Sequence, residues 1–184
     1  EEDRDPADPV HDRRLRADRV QELAHIGHGT QRCGGHEGVD GTYHARMSAT
    51  VVRSVVDWYR TAQRPLPWRR TGTTPWGILV SEVMCQQTQV DRVIPRWQAW
   101  MARWPVPSAL AQAPPSDAIR AWERLGYPRR ARWLHAAAQE IADRHGDDVP
   151  SDTESLRALT GIGEYTAAAV QAFAFGMPSV VLDT

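Results

Sequence analysis

The stretch LTGIGEYTAAAV, from Leu159 to Val170, places two glycines directly before a run with the composition of a helix. Glycine lets the backbone bend sharply and lets a ligand approach the main chain closely. The first N–H groups of a helix have no partner inside it, so they attract an anion. Apolar residues at Leu156, Ile162 and Ala168 predict two helices packed about this tight bend. The pattern therefore predicts a helical hairpin whose bend can hold one phosphate group.

The bend has two interpretations when its residues are considered alone. A glycine-capped turn between two helices would use the same residues and bind nothing. A nucleotide-cradling loop is excluded, because its longer glycine-rich run and its terminal Gly-Lys-Ser/Thr are absent. A structural turn and a site for one phosphate of a polymer both remain.

Outward from this hairpin, the chain from Met47 onward has the pattern of helix after helix, with short breaks and no sustained alternation of period two. Apolar residues or boundary signals mark six helical segments: 51–59, 78–84, 93–104, 115–125, 131–141 and 165–175. Ser151 and Glu154 have the spacing of a capping box for the helix that carries Leu156 and Leu159. The sequence thus predicts an all-α domain over residues 47–184, with no internal repeat.

Residues 1–46 are rich in Asp, Arg, Gly and His and lack apolar periodicity, so we expect a disordered extension. Within it, His25, His28, Cys33 and His36 have spacings that resemble those of zinc ligands. No pattern of core residues surrounds these four side chains. Scattered polar residues in a tail are therefore the favoured interpretation, and we expect no metal site.

Composition narrows the class of protein. The 184 residues are 41% apolar and 24% charged, which is typical of a soluble globular domain. No apolar run approaches the roughly 20 residues that a membrane-spanning helix needs. The acidic first residues lack the basic-then-apolar order of a secretory signal, and two cysteines give no disulfide framework. We therefore expect no membrane association and a reducing cytoplasmic setting.

Charge is unevenly distributed along the chain. Residues 1–46 hold 10 acidic residues and 7 arginines, whereas residues 47–184 hold 13 acidic residues and 15 arginines. The predicted domain is therefore mildly basic, which permits a nucleic-acid partner. Every basic residue is arginine, and the absence of lysine removes any Schiff-base chemistry by a lysine side chain.

The hairpin stretch resembles the helix-hairpin-helix of the endonuclease III superfamily of DNA glycosylases. Within that superfamily, SEVMCQQTQVDRVIPRW is similar to the signature of the MutY family of adenine DNA glycosylases. The segments LPWRR, RLGYPRRARWLHAAA and VVLDT resemble the same family in the same order, from about Leu66 to Thr184. The resemblance implies a six-helix barrel, incomplete here, whose hairpin binds a DNA phosphate. It also implies a bacterial, nucleoid-associated monomer that removes adenine opposite 8-oxoguanine or guanine in double-stranded DNA.

Cleavage of a base from deoxyribose requires protonation of the leaving base and a balance for the positive charge on the sugar. A neutral carboxyl group can supply the proton, and an ionised carboxylate can balance the charge on the sugar. Glu82 matches the family's catalytic glutamate, and its apolar helix would raise the carboxyl pKa by desolvation. By resemblance it protonates the adenine and then assists the attacking water. Asp183 matches the family's aspartate, which stabilises the cationic sugar.

Tyr165 occupies the point of the hairpin where bifunctional members of the superfamily place a lysine nucleophile. The resemblance therefore implies a glycosylase that leaves an abasic site and does not cut the strand efficiently. The tyrosine would instead form a hydrogen bond near the sugar or Asp183, and a purely packing role is the alternative.

The family resemblance also assigns residues that hold the opened duplex, because the target base must leave the helix to be reached. Gln87 and Thr88 match residues that intrude at the lesion pair, and Tyr127 matches an aromatic wedge beside the opposite base. Pro128 departs from the family, which often has a second tyrosine there. Further assignments are Trp68 and Arg69 to the base pocket, Gly161, Gly163 and Thr166 to the DNA backbone, and Cys85 as an apolar substitute for leucine.

Full-length members of the family carry a [4Fe–4S] cluster on four closely spaced cysteines and a later domain that recognises 8-oxoguanine. Cys33 and Cys85 cannot supply that set. We expect the chain to be the N-terminal part of a longer enzyme, and a truncated gene product is the alternative. Two alternatives stay open: a thymine glycosylase acting on G·T mismatches, and a DNA-binding fragment without turnover. Glu82 within SEVM and the QQTQV run favour adenine.

Overall fold

The computed structural model describes residues 41–179, and the side chains from residue 49 onward. This part of the chain forms eight α-helices and two short 3₁₀ segments, and it contains no strand. The helices are α1 (Gly41–Ala62), α2 (Pro75–Cys85), α3 (Val90–Arg103), α4 (Pro107–Ala111), α5 (Pro115–Trp122), α6 (Arg129–Arg144), α7 (Thr153–Ala158) and α8 (Glu164–Phe175). The 3₁₀ segments are Pro67–Arg69 and Glu123–Leu125. The predicted all-α class is confirmed.

The chain divides into two compact units, Glu1–Pro65 and Leu66–Thr184. The first contains α1 and the second contains α2 to α8. The expected boundary at residues 46 and 47 falls within α1, and a separate extension before it stays a prediction. The zinc-like set between His25 and His36 lies outside the described residues, and so does Asp183.

Helix α2 is the centre of the second unit. Thr74 caps it, since its hydroxyl oxygen accepts a hydrogen bond from the Gly77 N–H at 3.1 Å, and Pro75 occupies the first helical position. Between Trp76 and Met84 only Glu82 is not fully buried. Helices α3 and α8 pack against α2, while α4 and α5 pack against α6. A helix buried on nearly every side holds its one acidic residue at the edge of the core.

Tryptophans form much of the core. Trp100 is almost completely buried, and its ring makes edge-to-face contacts with Trp104 at 4.7 Å and Trp122 at 5.8 Å between centroids. The indole N–H of Trp76 donates to the Trp104 carbonyl at 3.1 Å, so α2 is tied to the end of α3. The core assignment predicted for Trp97 and Trp104 is confirmed, with Trp97 partly buried.

Two helix boundaries differ from the sequence prediction. Asp152, rather than Ser151, caps α7, because its carboxylate accepts a hydrogen bond from the Ser155 N–H at 2.8 Å. A carboxylate there also complements the positive end of the helix. Helix α5 ends at Trp122 instead of Leu125, since Glu123 takes a left-handed φ of 45° and a 3₁₀ turn follows.

Helix α4 was not predicted at all. It has five residues and starts with a proline at its first position. Five residues are too few to show a helical apolar period.

Candidate active site

A cleft of about 540 Å³ opens where the C-terminal end of α2 meets the N-terminal ends of α6 and α8. Its walls are formed by Glu82, Cys85, Gln86, Gln87, Tyr127, Arg129, Arg130, Trp133, Gly163, Glu164, Tyr165 and Thr166. The cleft therefore brings together six residues that the sequence assigned to the site: Glu82, Gln87, Tyr127, Gly163, Tyr165 and Thr166. They come from two helices, α2 and α8, and from three turns, so only the tertiary fold makes them neighbours.

Glu82 is the acidic group of α2 and is half-buried in this cleft. Burial raises the pKa of its carboxyl to about 7, and the positive charge of Arg69 partly opposes that rise. The direction expected from the apolar helix is confirmed. A carboxyl with this pKa is divided between its neutral and ionised forms near neutral pH, so it can both give and take a proton.

A side-chain contact joins α2 to α8 at the floor of the cleft. The Gln86 amide Nε2 donates to the Thr166 hydroxyl oxygen at 3.2 Å, and Thr166 is buried. The contact with the DNA backbone that the resemblance assigned to Thr166 stays a prediction. The sequence prediction did not assign Gln86 to the site and named the adjacent Gln87 instead.

The hairpin before α8 has the predicted tight bend. Gly161 takes a φ of +80°, and a Cβ atom there would stand 2.8 Å from the Trp133 Cβ. Gly163, the N-cap of α8, faces open space instead. The Glu140 carboxylate accepts hydrogen bonds from the Thr160 N–H at 2.8 Å and hydroxyl at 2.7 Å. The bend is thus held by a helix α6 side chain that no sequence signal identified.

Gln87 and Tyr127 lie on the rim of the cleft in the turns after α2 and before α6. Both are exposed, and both have left-handed backbone conformations, with φ of 52° and 46°. This region is sparsely populated by residues with a side chain, and such strain is often found at functional sites. Thr88 differs, because its hydroxyl donates to the Leu125 carbonyl at 3.0 Å inside the protein.

Arg130 lies behind these two turns and is 4% exposed. Burial lowers the pKa of its guanidinium from the ordinary value. Its acceptors are the carbonyls of Val83, Met84, Gln86, Leu125 and Gly126 and the hydroxyl of Thr88. The run RRAR around it contains three arginines, so no sequence signal distinguished this one.

The two residues that the resemblance assigned to the base pocket lie elsewhere. Trp68 is buried in the core, where its ring meets Trp97 edge-to-face at 5.7 Å. Arg69 is exposed and acts on Glu82 through its charge. Neither lines the cleft, and their contact with a base stays a prediction. Cys85 packs against the core and also forms part of the cleft wall, as an apolar substitute would.

The residues present do not fit an iron–sulfur cluster. The chain has two cysteines, whereas a [4Fe–4S] cluster takes four thiolates. Within residues 49–179 the structure shows no group of three or more His, Cys, Asp or Glu side chains able to hold a metal ion.

Across the described helices, none has the length and apolar character needed to cross a bilayer.

Residues 80–181 match the family model described as HhH-GPD superfamily base excision DNA repair protein. An adenine DNA glycosylase of Mycolicibacterium smegmatis is 53% identical over 138 residues, which cover 75% of this chain and 47% of that protein. An adenine DNA glycosylase of Mycobacterium tuberculosis is 51% identical over 131 residues, which cover 71% of this chain and 43% of that protein. The chain thus spans less than half the length of these relatives.

The fold has a counterpart among solved structures. The structure of a thermostable thymine-DNA glycosylase aligns with a TM-score of 0.70 and 25% identity, over 75% of this chain and 64% of that chain. The predicted helix-hairpin-helix fold is confirmed by this likeness and by the family match.

Proposed function

Since the chain belongs to the HhH-GPD superfamily of base excision DNA repair proteins, we propose that it hydrolyses the N-glycosidic bond of adenine mispaired with 8-oxoguanine or guanine in double-stranded DNA. The observation that carries this proposal is the half-buried carboxyl of Glu82, whose pKa is about 7, in a cleft beside a phosphate-binding type of hairpin. The relatives named adenine DNA glycosylase support the choice of base.

Glu82 is the proton donor of the proposed reaction. In its neutral form it gives a proton to the adenine ring, and the electrons of the C1′–N9 bond pass to the leaving base. The deoxyribose then carries the positive charge of an oxocarbenium ion. The ionised carboxylate next takes a proton from the attacking water, which restores the acid. Asp183 is proposed to balance the sugar cation.

The DNA contacts of the proposal follow the rim of the cleft. The exposed side chains of Gln87 and Tyr127 would occupy the space that the extruded adenine leaves and stack beside the opposite base. Thr88 would support this turn, since its hydroxyl is already bound within the protein. Gly161, Gly163 and the first turn of α8 would hold a backbone phosphate through main-chain N–H groups.

Tyr165 makes the proposed enzyme monofunctional. It lies in the first turn of α8, lines the cleft and is 39% exposed. A phenol cannot form the Schiff base through which an amine opens the sugar, and the chain contains no lysine. Water therefore remains the nucleophile, and the product is an abasic site in an uncut strand.

Removal of thymine from G·T mismatches is the second candidate. The solved thymine-DNA glycosylase with a TM-score of 0.70 is the observation that favours it. The two activities share the hairpin and base extrusion, so the substrate assay separates them.

The test uses duplexes that carry A opposite 8-oxoguanine, A opposite G, or T opposite G. After incubation, each is divided and one half is heated with alkali, which cuts the strand at abasic sites. We expect breaks only in the adenine strand and only after alkali. Breaks in the thymine strand would instead support a thymine glycosylase that acts on G·T mismatches. If the chain bound mismatched duplexes but produced no breaks, it would be a DNA-binding module without turnover.

Glu82→Gln is the variant that addresses the mechanism. It removes the transferable proton with little change in volume, so excision should fall by about a hundredfold or more while duplex binding persists. Glu154→Gln is the matched control, because Glu154 is an exposed glutamate on α7 outside the cleft. If Glu82→Gln excised adenine at the wild-type rate, Glu82 would not be the proton donor.

A further inference from the structure

Arg130 is a buried charge that the proposed reaction does not use. Its side chain is 4% exposed, and among residues 49–179 it forms no ion pair with a carboxylate. A buried cation is costly unless hydrogen bonds compensate for its lost hydration. The compensation comes from carbonyl and hydroxyl oxygens, so the position of this guanidinium is fixed by the main chain around it.

The guanidinium connects two separate turns. Its Nη1 donates to the carbonyls of Val83, at 3.0 Å, and Gln86, at the C-terminal end of α2. Its Nη2 donates to the carbonyls of Leu125, at 3.1 Å, and Gly126, at 3.2 Å. The two nitrogens of one rigid fork thus serve two segments about 40 positions apart in the sequence. A lysine ammonium is a single point charge and cannot reproduce this bridge.

Thr88 completes the bridge between the turns. Its hydroxyl oxygen accepts from Arg130 Nη2 at 3.1 Å, and the hydroxyl donates to the Leu125 carbonyl at 3.0 Å. The same guanidinium lies 5.3 Å from the centroid of the Trp122 ring and 5.5 Å from that of Tyr127. Cation–π contacts of this length add to the hydrogen bonds.

Each bridged segment carries a residue of the cleft. Gln87 directly follows Gln86, and Tyr127 directly follows Gly126, and both have left-handed φ values. Glu82 lies one turn earlier on α2. A left-handed backbone at residues with a side chain persists only where the surrounding structure holds it. The carbonyls of Gln86 and Gly126, which directly precede these two residues, both accept hydrogen bonds from Arg130.

We propose that Arg130 is a positioning residue, which clamps the turn after α2 to the turn before α6 so that Gln87, Tyr127 and Glu82 keep one fixed arrangement. The clamp itself is a property of the fold. Its effect on base removal rests on the proposed function. A displacement of about 1 Å at a reacting group can lower a rate by up to about a hundredfold.

The clamp is tested first without DNA, by hydrogen exchange of the full chain. Arg130→Lys should speed exchange of the amides in residues 86–89 and 125–130 by about tenfold or more, because their support is lost. Amides of the hairpin at 159–163 should stay within about twofold. Arg132→Lys is the matched control, since Arg132 is exposed on the same helix outside the cleft. Unchanged exchange in both turns, or an equal rise in the hairpin, would overturn the proposal.

The catalytic consequence is tested by single-turnover excision. Arg130→Lys should lower the excision rate by about tenfold to a hundredfold. Its affinity for an undamaged duplex should stay within about twofold, because the hairpin is untouched. If Arg130→Lys excised adenine at the wild-type rate, the positioning role would be overturned. If its affinity for undamaged duplex fell as much as its excision rate, Arg130 would contribute only to general stability. If the unsubstituted chain excised nothing, the proposed function would fail, whereas the exchange data would still decide the clamp.

Thr88→Val provides a second route if Arg130→Lys does not fold. Valine keeps the shape of threonine but removes the hydroxyl that joins the two turns. We expect the same local pattern of exchange at about threefold or more, with the hairpin unaffected. No local change in either turn would refute the clamp.

Discussion

At the scale of the single residue, Glu82 stands out because its burial opposes the stability of the fold. In the unfolded chain the carboxyl ionises near its ordinary pKa of 4.5, whereas the folded value is about 7. The folded state therefore prefers the proton. The protonated Glu82 carboxyl therefore contributes its full stabilisation below pH 4.5. As the pH rises from 4.5 to 7 this contribution, on the order of 3 kcal/mol, is lost.

We predict that Glu82→Gln flattens this dependence. The free energy of unfolding of the unsubstituted chain should fall between pH 5 and pH 8 by more than that of the variant, because glutamine does not ionise. Urea unfolding at the two pH values measures the difference. Groups that titrate in both proteins cancel in the comparison. Parallel pH curves would mean that the Glu82 carboxyl is not desolvated.

Tyr165 gives a second prediction at this scale. Tyr165→Lys places an amine at the first turn of α8, where it faces the cleft. We expect this variant to cut the strand without alkali and to be trapped on DNA by borohydride, which reduces a Schiff base. The unsubstituted chain should give no trapped complex. Trapping of the unsubstituted chain would contradict the assignment of water as the nucleophile.

At the scale of the element, the two glycines of the hairpin have different reasons to be glycine. Gly161 needs it for the fold, since its φ is +80° and a Cβ would collide with Trp133. Gly163 has an ordinary φ of −87° and open space around it. Its lack of a side chain leaves the N-terminus of α8 open to solvent.

This difference predicts opposite phenotypes. Gly163→Val should keep its melting temperature but lose about tenfold in affinity for undamaged duplex, since hydrogen bonds to a charged phosphate are worth roughly 1.5–3 kcal/mol. Gly161→Val should instead be destabilised by about 1–3 kcal/mol from backbone strain. Thermal melts and titrations with undamaged duplex measure both. Unchanged affinity in Gly163→Val would make the hairpin a structural turn only.

At the scale of the whole molecule, charge is divided between the two ends of the chain. Residues 1–40 hold 10 acidic residues and 6 arginines, so their net charge is −4 and that of the remainder is +3. Under the proposed function, we expect this acidic part to weaken DNA binding through long-range repulsion, which salt screens.

Removal of residues 1–40 should therefore increase affinity for undamaged duplex, with a larger effect at 50 mM than at 200 mM salt. Titrations of the full and shortened chains at both salt concentrations test this. Weaker binding by the shortened chain would show that these residues contribute contacts.

Local sequence patterns were enough to predict most of the helices and the chemistry that they carry. Apolar spacing, prolines and glycines predicted an all-α chain, and the bend between Gly161 and Gly163 predicted the hairpin. The apolar neighbours of Glu82 predicted the upward shift of its pKa. These are local properties, because a helix, its cap and the position of its apolar side are set by residues within a few turns.

The polar residues that support the cleft could not be selected in this way, because long-range contacts define them. Arg130 with the end of α2, Glu140 with Thr160, and Gln86 with Thr166 are contacts across 20 to 80 positions. In the sequence these residues resemble exposed arginines, glutamates and glutamines elsewhere in the chain. A hydrogen bond depends on donor and acceptor positions to within a fraction of an ångström, and packing of separate helices sets those positions.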